Sequence, residues 1–107
     1  MPRTTPEQPM QTVITTFEVT PGTCDDLVDL LRGVLKTHIS RQPGFVSAAL
    51  HVNDARTRVA NYSRWRSRAD FLAMLRGAGM REHNRRLHEL SRSFEPVMYE
   101  VEDAFEA

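Results

Sequence analysis

Asn61 and Trp65 stand four residues apart in "RVANYSRWRSRADF", the stretch Arg58–Phe71. The first half of that stretch reads as a strand. Alternate side chains of a strand share a face, so Asn61 and Trp65 project together, with Val59 and Ser63. A buried carboxamide has donors and acceptors to satisfy, which is costly away from water or a ligand. A buried indole brings a large flat apolar surface and one N–H that needs a partner. On one reading the pair is core, with Asn61 bonded to backbone. On the other it walls a hollow roomy enough for a flat organic guest, where an amide N–H can stabilise a developing anion. Spacing alone leaves both open.

Two histidines could add acid–base chemistry. His51 alternates with Phe45, Ser47 and Ala49 on the preceding strand. If that face matches the Asn61 face across the hairpin, His51 stands near Asn61. Its ordinary pKa of about 6.5 suits a general base. His83 shares a helical stripe with Met80, Leu87 and Leu90, so it is expected to point inward. His83 and His88 are not at the four-residue spacing that aligns two ligands on one helix face, so no metal site is expected. The single cysteine, Cys24, excludes an internal disulfide.

The elements that must position these residues are legible from pattern. "QTVITTFEV" is rich in β-branched residues and reads as a first strand, ended by "TPG". Thr23 with Asp26 resembles a helix cap. Leu27, Leu30, Leu31, Val34 and Leu35 follow at helical spacing, with Ile39 extending the stripe, and "QPG" closes the helix near Gly44. "FVSAALHVN" is a second strand, with small or apolar residues on both faces and therefore cover on both. "DART" is a turn, and "RVANYSRW" completes a hairpin. Ser67 caps a short helix with Asp70, "GAG" interrupts it, and a further helix runs from Met80 to Leu90. "EPVMYEVEDAF" is the last strand.

The order is β-α-β-β-α-β with the second helix split, the α+β ferredoxin-like arrangement. One antiparallel sheet carries helices on one face, and a second subunit is the expected cover for the other. Residues 1–10 read as a loose tail, 11–102 as the domain and 103–107 as a C-terminal tail. The chain's 107 residues, 40% hydrophobic and 26% charged, suit one small globule. Net charge is zero, so no global field draws in nucleic acid or anionic membrane. Eight arginines lie between Arg64 and Arg92. Few aromatics interleave them, which points to a solvated surface rather than a nucleic-acid interface. No run approaches the roughly 20 apolar residues of a membrane span. "MPRTTPEQPM" has no apolar run behind its arginine, so a cytoplasmic location is the expectation.

"PGFVSAALHVN", the turn, and "RVANYSRWRSRADF" together resemble the antibiotic biosynthesis monooxygenase (ABM) family, from about Gln11 to Glu102. The resemblance implies a dimeric α/β barrel built from two ferredoxin-like chains. Within the family the sequence looks most like the small cofactor-independent oxygenases of aromatic polyketide pathways. Those enzymes oxidise an anthrone-like phenol to a quinone with molecular oxygen as co-substrate and no flavin, metal or haem. Their oxygen-handling asparagine falls on Asn61, their tryptophan on Trp65, their strand-two histidine on His51 and their helix arginine on Arg85. Helical spacing, however, turns Arg85 away from the apolar stripe. Their pocket tyrosine is Phe71 here, and a phenyl ring can neither relay a proton nor donate a hydrogen bond.

The resemblance makes Asn61, Trp65 and Arg85 the expected catalytic set. His51, Phe71 and His83 are the expected substrate contacts, with His51 or His83 taking the proton in place of the tyrosine. Two rival readings remain. One is a non-catalytic binding dimer of a polyketide pathway, which the loss of the tyrosine favours. The other is the haem-degrading branch, which shares a helix histidine near His83. That branch needs a tryptophan where Met74 or its neighbours stand and an asparagine where Thr15 and Thr16 stand.

Overall fold

The structure, a computed structural model, describes residues 10–107, so the expected N-terminal tail lies, but for Met10, outside the described residues. Four strands, β1 (Gln11–Glu18), β2 (Phe45–Val52), β3 (Arg58–Trp65) and β4 (Ser93–Tyr99), form one sheet in the order β2-β3-β1-β4. All three pairings are antiparallel. Helices α1 (Pro21–Thr37), α2 (Arg68–Arg76) and α3 (Arg81–Leu90) complete the ferredoxin-like βαββαβ fold, its second helix split by a 3₁₀ turn at Ala78–Met80. No helix among the described residues is long and apolar enough to cross a membrane.

The α1 cap differs from the Thr23/Asp26 expectation. Thr20 is the N-cap, its hydroxyl accepting from the Thr23 N–H while the Thr23 hydroxyl accepts from the Thr20 N–H. Pro21 has no N–H to leave unpaired and a φ already suited to a helix, so "TPG" opens α1 as well as ending β1. From there Leu27, Leu31 and Val34 bury one face. The helix stops at Thr37, and Ile39 reaches the core from a 3₁₀ turn, Ile39–Arg41, rather than from a longer α1.

The inner face of the sheet alternates as the helix-covered side should. Val13 and Phe17 of β1 and Val59, Ser63 and Trp65 of β3 are all buried. Two apolar clusters pack on it. One gathers Trp65 with Phe71, Met74, Met80, Val34 and Ile39. The other gathers Phe17 and Val59 with Leu27, Leu31, Leu87 and Cys24. Cys24 is thus a core residue without exposure.

Strand β2 carries the main departure. Phe45 pairs with Trp65 but Ser47 pairs with Arg64, so Val46 is an extra residue at a bulge. A bulge reverses the alternation beyond it. Phe45 therefore faces inward with Trp65, whereas Ser47, Ala49 and His51 share the outer face with Arg64, Tyr62 and Ala60. The expected face Phe45–Ser47–Ala49–His51 does not exist.

The outer face is open in the single chain, the face for which a second subunit is the expected cover. Val97, Ile14, Tyr62 and Ala49 stand in register across all four strands. Tyr62 is 42% exposed, Val97 36% and Tyr99 49%. Strand β4 also stops sooner than "EPVMYEVEDAF" suggests. Its ladder ends with Thr12 opposite Tyr99, near the start of β1, where the partner strand runs out.

Gly44 fixes how α2 leaves the sheet. Its φ is 84°, a left-handed conformation that side chains resist, and a Cβ there would run into the Asp70 carboxylate in the first turn of α2. The Gly44 carbonyl accepts from the Arg66 N–H at 2.8 Å, and Ser67 caps α2 by accepting from the Asp70 N–H at 3.1 Å. Gly44→Ala is expected to destabilise the protein by about 2 kcal/mol or more, read as a lower urea midpoint with an unchanged slope.

Candidate active site

A cavity lies between the inner face of β1 and β3 and the α2–α3 segment above them. Its floor includes Thr15, Asn61, Ser63 and Trp65; its roof includes Phe71, Met74, Met80 and Asn84. Thr15 and Asn61 are direct cross-strand partners, so both side chains emerge at one level of the sheet.

Asn61 is 8% exposed, and its Oδ1 is fully buried with no hydrogen-bond partner. Leaving such an acceptor unpaired costs about 1–3 kcal/mol, a strain that a hydrogen-bonding guest relieves. Trp65 is 1% exposed. Its indole N–H donates to the Ser63 hydroxyl at 3.3 Å, which donates in turn to the Val13 carbonyl at 3.3 Å. Phe45 and Phe71 meet the indole edge-to-face, with centroids 5.4 and 5.8 Å away. Trp65 is therefore both core and wall: its polar end is committed to the sheet, and what it offers the cavity is apolar ring. Phe71 lines the same cavity, as expected, without a hydroxyl.

The other expected site residues are elsewhere. His51 is exposed on the outer face, because the Val46 bulge turns it away from Asn61. His83 borders an open groove between α1 and α3, beside Asp29, Thr37 and Arg86. Its ring lies 5.6 Å from that of His38, and its Nδ1 is buried without a partner. Arg85 stands on the exposed side of α3. Its Nε donates to Glu82 at 3.0 Å, and its two terminal nitrogens pair with Glu82 and Glu89. The hydrogen bond from Arg85 holds the Glu82 carboxyl below its ordinary pKa, and Glu82 raises that of the guanidinium. Helical spacing turns Arg85 away from the cavity, and the i,i+3 and i,i+4 contacts form on that exposed side.

Among the described residues, none that lines the cavity titrates: no acid, histidine, lysine, arginine, tyrosine or cysteine is among them. The arrangement can stack an aromatic, hydrogen-bond one or two oxygens and exclude water. It supplies no protein base. Its free space is about 40 Å³, room for roughly two or three waters. The expectation of a roomy hollow thus fails for this conformation, since ligand pockets start at about 300 Å³. Phe71, Met74 and Met80 pack over the sheet here and leave only that small space.

Thr15 and Asn84 were not anticipated. Asn84 falls between Met80 and Leu87 at i+4 and i+7, so the helical stripe that placed His83 inward also contains it.

The sequence pattern of the family described as antibiotic biosynthesis monooxygenase matches residues 10–86, and the chain belongs to that family. Its enzyme class is that of a monooxygenase. It is 35% identical over 102 residues to tetracenomycin-F1 monooxygenase of Streptomyces glaucescens, covering 95% of this chain and 90% of that one. It superposes with a TM-score of 0.78 and 26% identity on a monooxygenase from the gene ActVA-Orf6 of Streptomyces coelicolor, solved with nanaomycin D, covering 94% of each chain. SnoaB, a cofactor-independent oxygenase from Streptomyces nogalater, shares the fold with a TM-score of 0.73 at 20% identity, over 92% of this chain and 99% of that one.

Arg85→Ala is expected to change catalytic rate by less than about twofold, measured as oxygen uptake, because the guanidinium is outside the cavity. The ion pair with Glu82 contributes only while Glu82 is ionised. The part of any small melting-temperature difference from wild type that this pair supplies should therefore be present near neutrality and fade as pH falls through the Glu82 pKa.

Proposed function

We propose that the chain is a cofactor-independent monooxygenase of an aromatic polyketide pathway, oxidising an anthrone-like phenol to the quinone with molecular oxygen. The observation that carries this reading is the carboxamide of Asn61, buried beside Trp65 in an apolar cavity, whose unpartnered Oδ1 can accept from a phenolic hydroxyl and so leave the N–H groups to face the reacting oxygen. The polyketide oxygenases among its relatives support it.

Triplet oxygen does not combine directly with a closed-shell molecule, but an ionised anthrone can pass it one electron. The carbanion becomes a carbon radical and oxygen becomes superoxide. The two combine into a peroxide, which takes up a proton. Loss of water from the hydroperoxide then leaves the new carbonyl. Anthrone and one oxygen molecule give quinone and one water, so no external reductant is required.

The chain's part is environmental. Trp65 and Phe71 hold the ring system in a dry space, where electrostatic contacts are strengthened. The Asn61 amide donates to the developing oxyanion or peroxide. With no titratable group at hand, the proton leaves to solvent or before entry, in place of the transfer to His51 or His83 expected above. The rate is then expected to follow the substrate's own ionisation.

Aerobic incubation with an anthrone, following quinone absorbance and oxygen uptake, tests the reading. Asn61→Ala is expected to lower kcat by about 10²-fold, the scale for losing one oxyanion donor, and Trp65→Phe by less. Unchanged rates in both variants would remove these residues from the mechanism. A binding-only role is the second reading, favoured by the absence of an internal base. Melting shifts with anthrone and no oxygen consumption would select it.

The outer sheet face supports a homodimer closed into a barrel, with the row Val97–Ile14–Tyr62–Ala49 meeting its copy. Tyr62→Arg combined with Val97→Glu is expected to halve the mass seen by light scattering. A mass unchanged from wild type would place any interface elsewhere.

A further inference from the structure

Asn84, rather than Arg85, is the residue by which α3 enters the cavity. It is half-buried, and its one side-chain hydrogen bond among the described residues is from Nδ2 to the Leu75 carbonyl at 3.3 Å. Leu75 lies in the last turn of α2, whose carbonyls have no partner within their own helix. That bond sets the plane of the amide. It leaves the oxygen and the second N–H without a protein partner.

The polar groups of the cavity are few. On the sheet side, the Ser63 hydroxyl is spent between Trp65 and Val13, which leaves Thr15 and Asn61. On the helix side, Asn84 is the sole polar side chain amid Phe71, Met74, Leu75, Met80 and Leu87. Each wall of the cavity thus carries one amide. A carboxamide both donates and accepts, so it matches either a hydroxyl or a carbonyl. A guest with bare hydrocarbon at that edge leaves the amide covered and unpaired.

Resting on the oxygenase reading above, we infer that Asn84 is a specificity-determining substrate contact. It selects polycyclic phenols that carry, beyond the single oxygen of anthrone itself, a further hydroxyl on the ring edge meeting α3, away from the carbon oxidised near Asn61.

The test compares anthrone with dithranol, its peri-dihydroxy derivative, on wild type and Asn84→Leu. Binding is read anaerobically from the fluorescence of Trp65, the chain's one tryptophan, and turnover from aerobic oxygen uptake. Wild type is expected to bind dithranol at least about tenfold tighter than anthrone. Asn84→Leu is expected to lose most of that preference through the dithranol Kd and KM, with the anthrone Kd weakened several-fold less than that of dithranol. A variant that keeps the preference, or weakens both probes equally, overturns the inference. So does a wild type that binds neither probe. Should Asn84→Leu fail to fold for want of a donor to Leu75, Asn84→Ser carries the same comparison. Binding with the expected preference but no oxygen uptake would sustain the Asn84 assignment and sink the oxygenase reading alone.

Discussion

The hydrogen-bonded run from the Trp65 indole through the Ser63 hydroxyl to the Val13 carbonyl is the interaction on which the interior depends. A tryptophan can be buried this fully only if its N–H finds a partner, and Ser63, two residues back on the same face, is that partner. The run crosses from β3 to β1, so it ties the indole to the centre of the sheet. Phe45 and Phe71 then brace the ring from β2 and α2. With Trp65 fixed, the apolar roof packs against it, and the space left over is the cavity beside Asn61. An anchored indole and a closely packed apolar roof leave only that small space between them.

Most of the fold was legible because its signals are local and periodic. The β-branched run of β1, the leucine stripe of α1 and the Ser67 cap each appear in a few residues and each formed as read. What escaped was set by relations between segments. The Val46 bulge adds one residue against an unbroken partner, and only the pairing with β3 reveals it. It moved His51 to the opposite face. The Thr20 cap was hidden because "TPG" punctuates a strand and opens a helix with the same three residues.

The site was legible in part for the same reason. Asn61, Trp65 and Phe71 meet because strand alternation and the α2 stripe point them to one place. Arg85 does not join them, since helical spacing turns it to the exposed side of α3, where it pairs with Glu82 and Glu89. Asn84 was readable from the stripe, but a polar residue among Met80, His83 and Leu87 attracts less notice than the charge next to it. The small free volume is a property of side-chain packing, which no pattern in the chain encodes.

The absence of ionisable groups from the cavity lining has a bearing on how such a protein can diversify. A wall of methionines and phenylalanines around two amides can be resculpted by swaps of similar volume, which cores tolerate, and methionine adapts to irregular shapes. No proton network has to be rebuilt at each step. New guests can therefore be accommodated by steric drift in Phe71, Met74 and Met80, while the reactivity stays with whatever molecule is admitted.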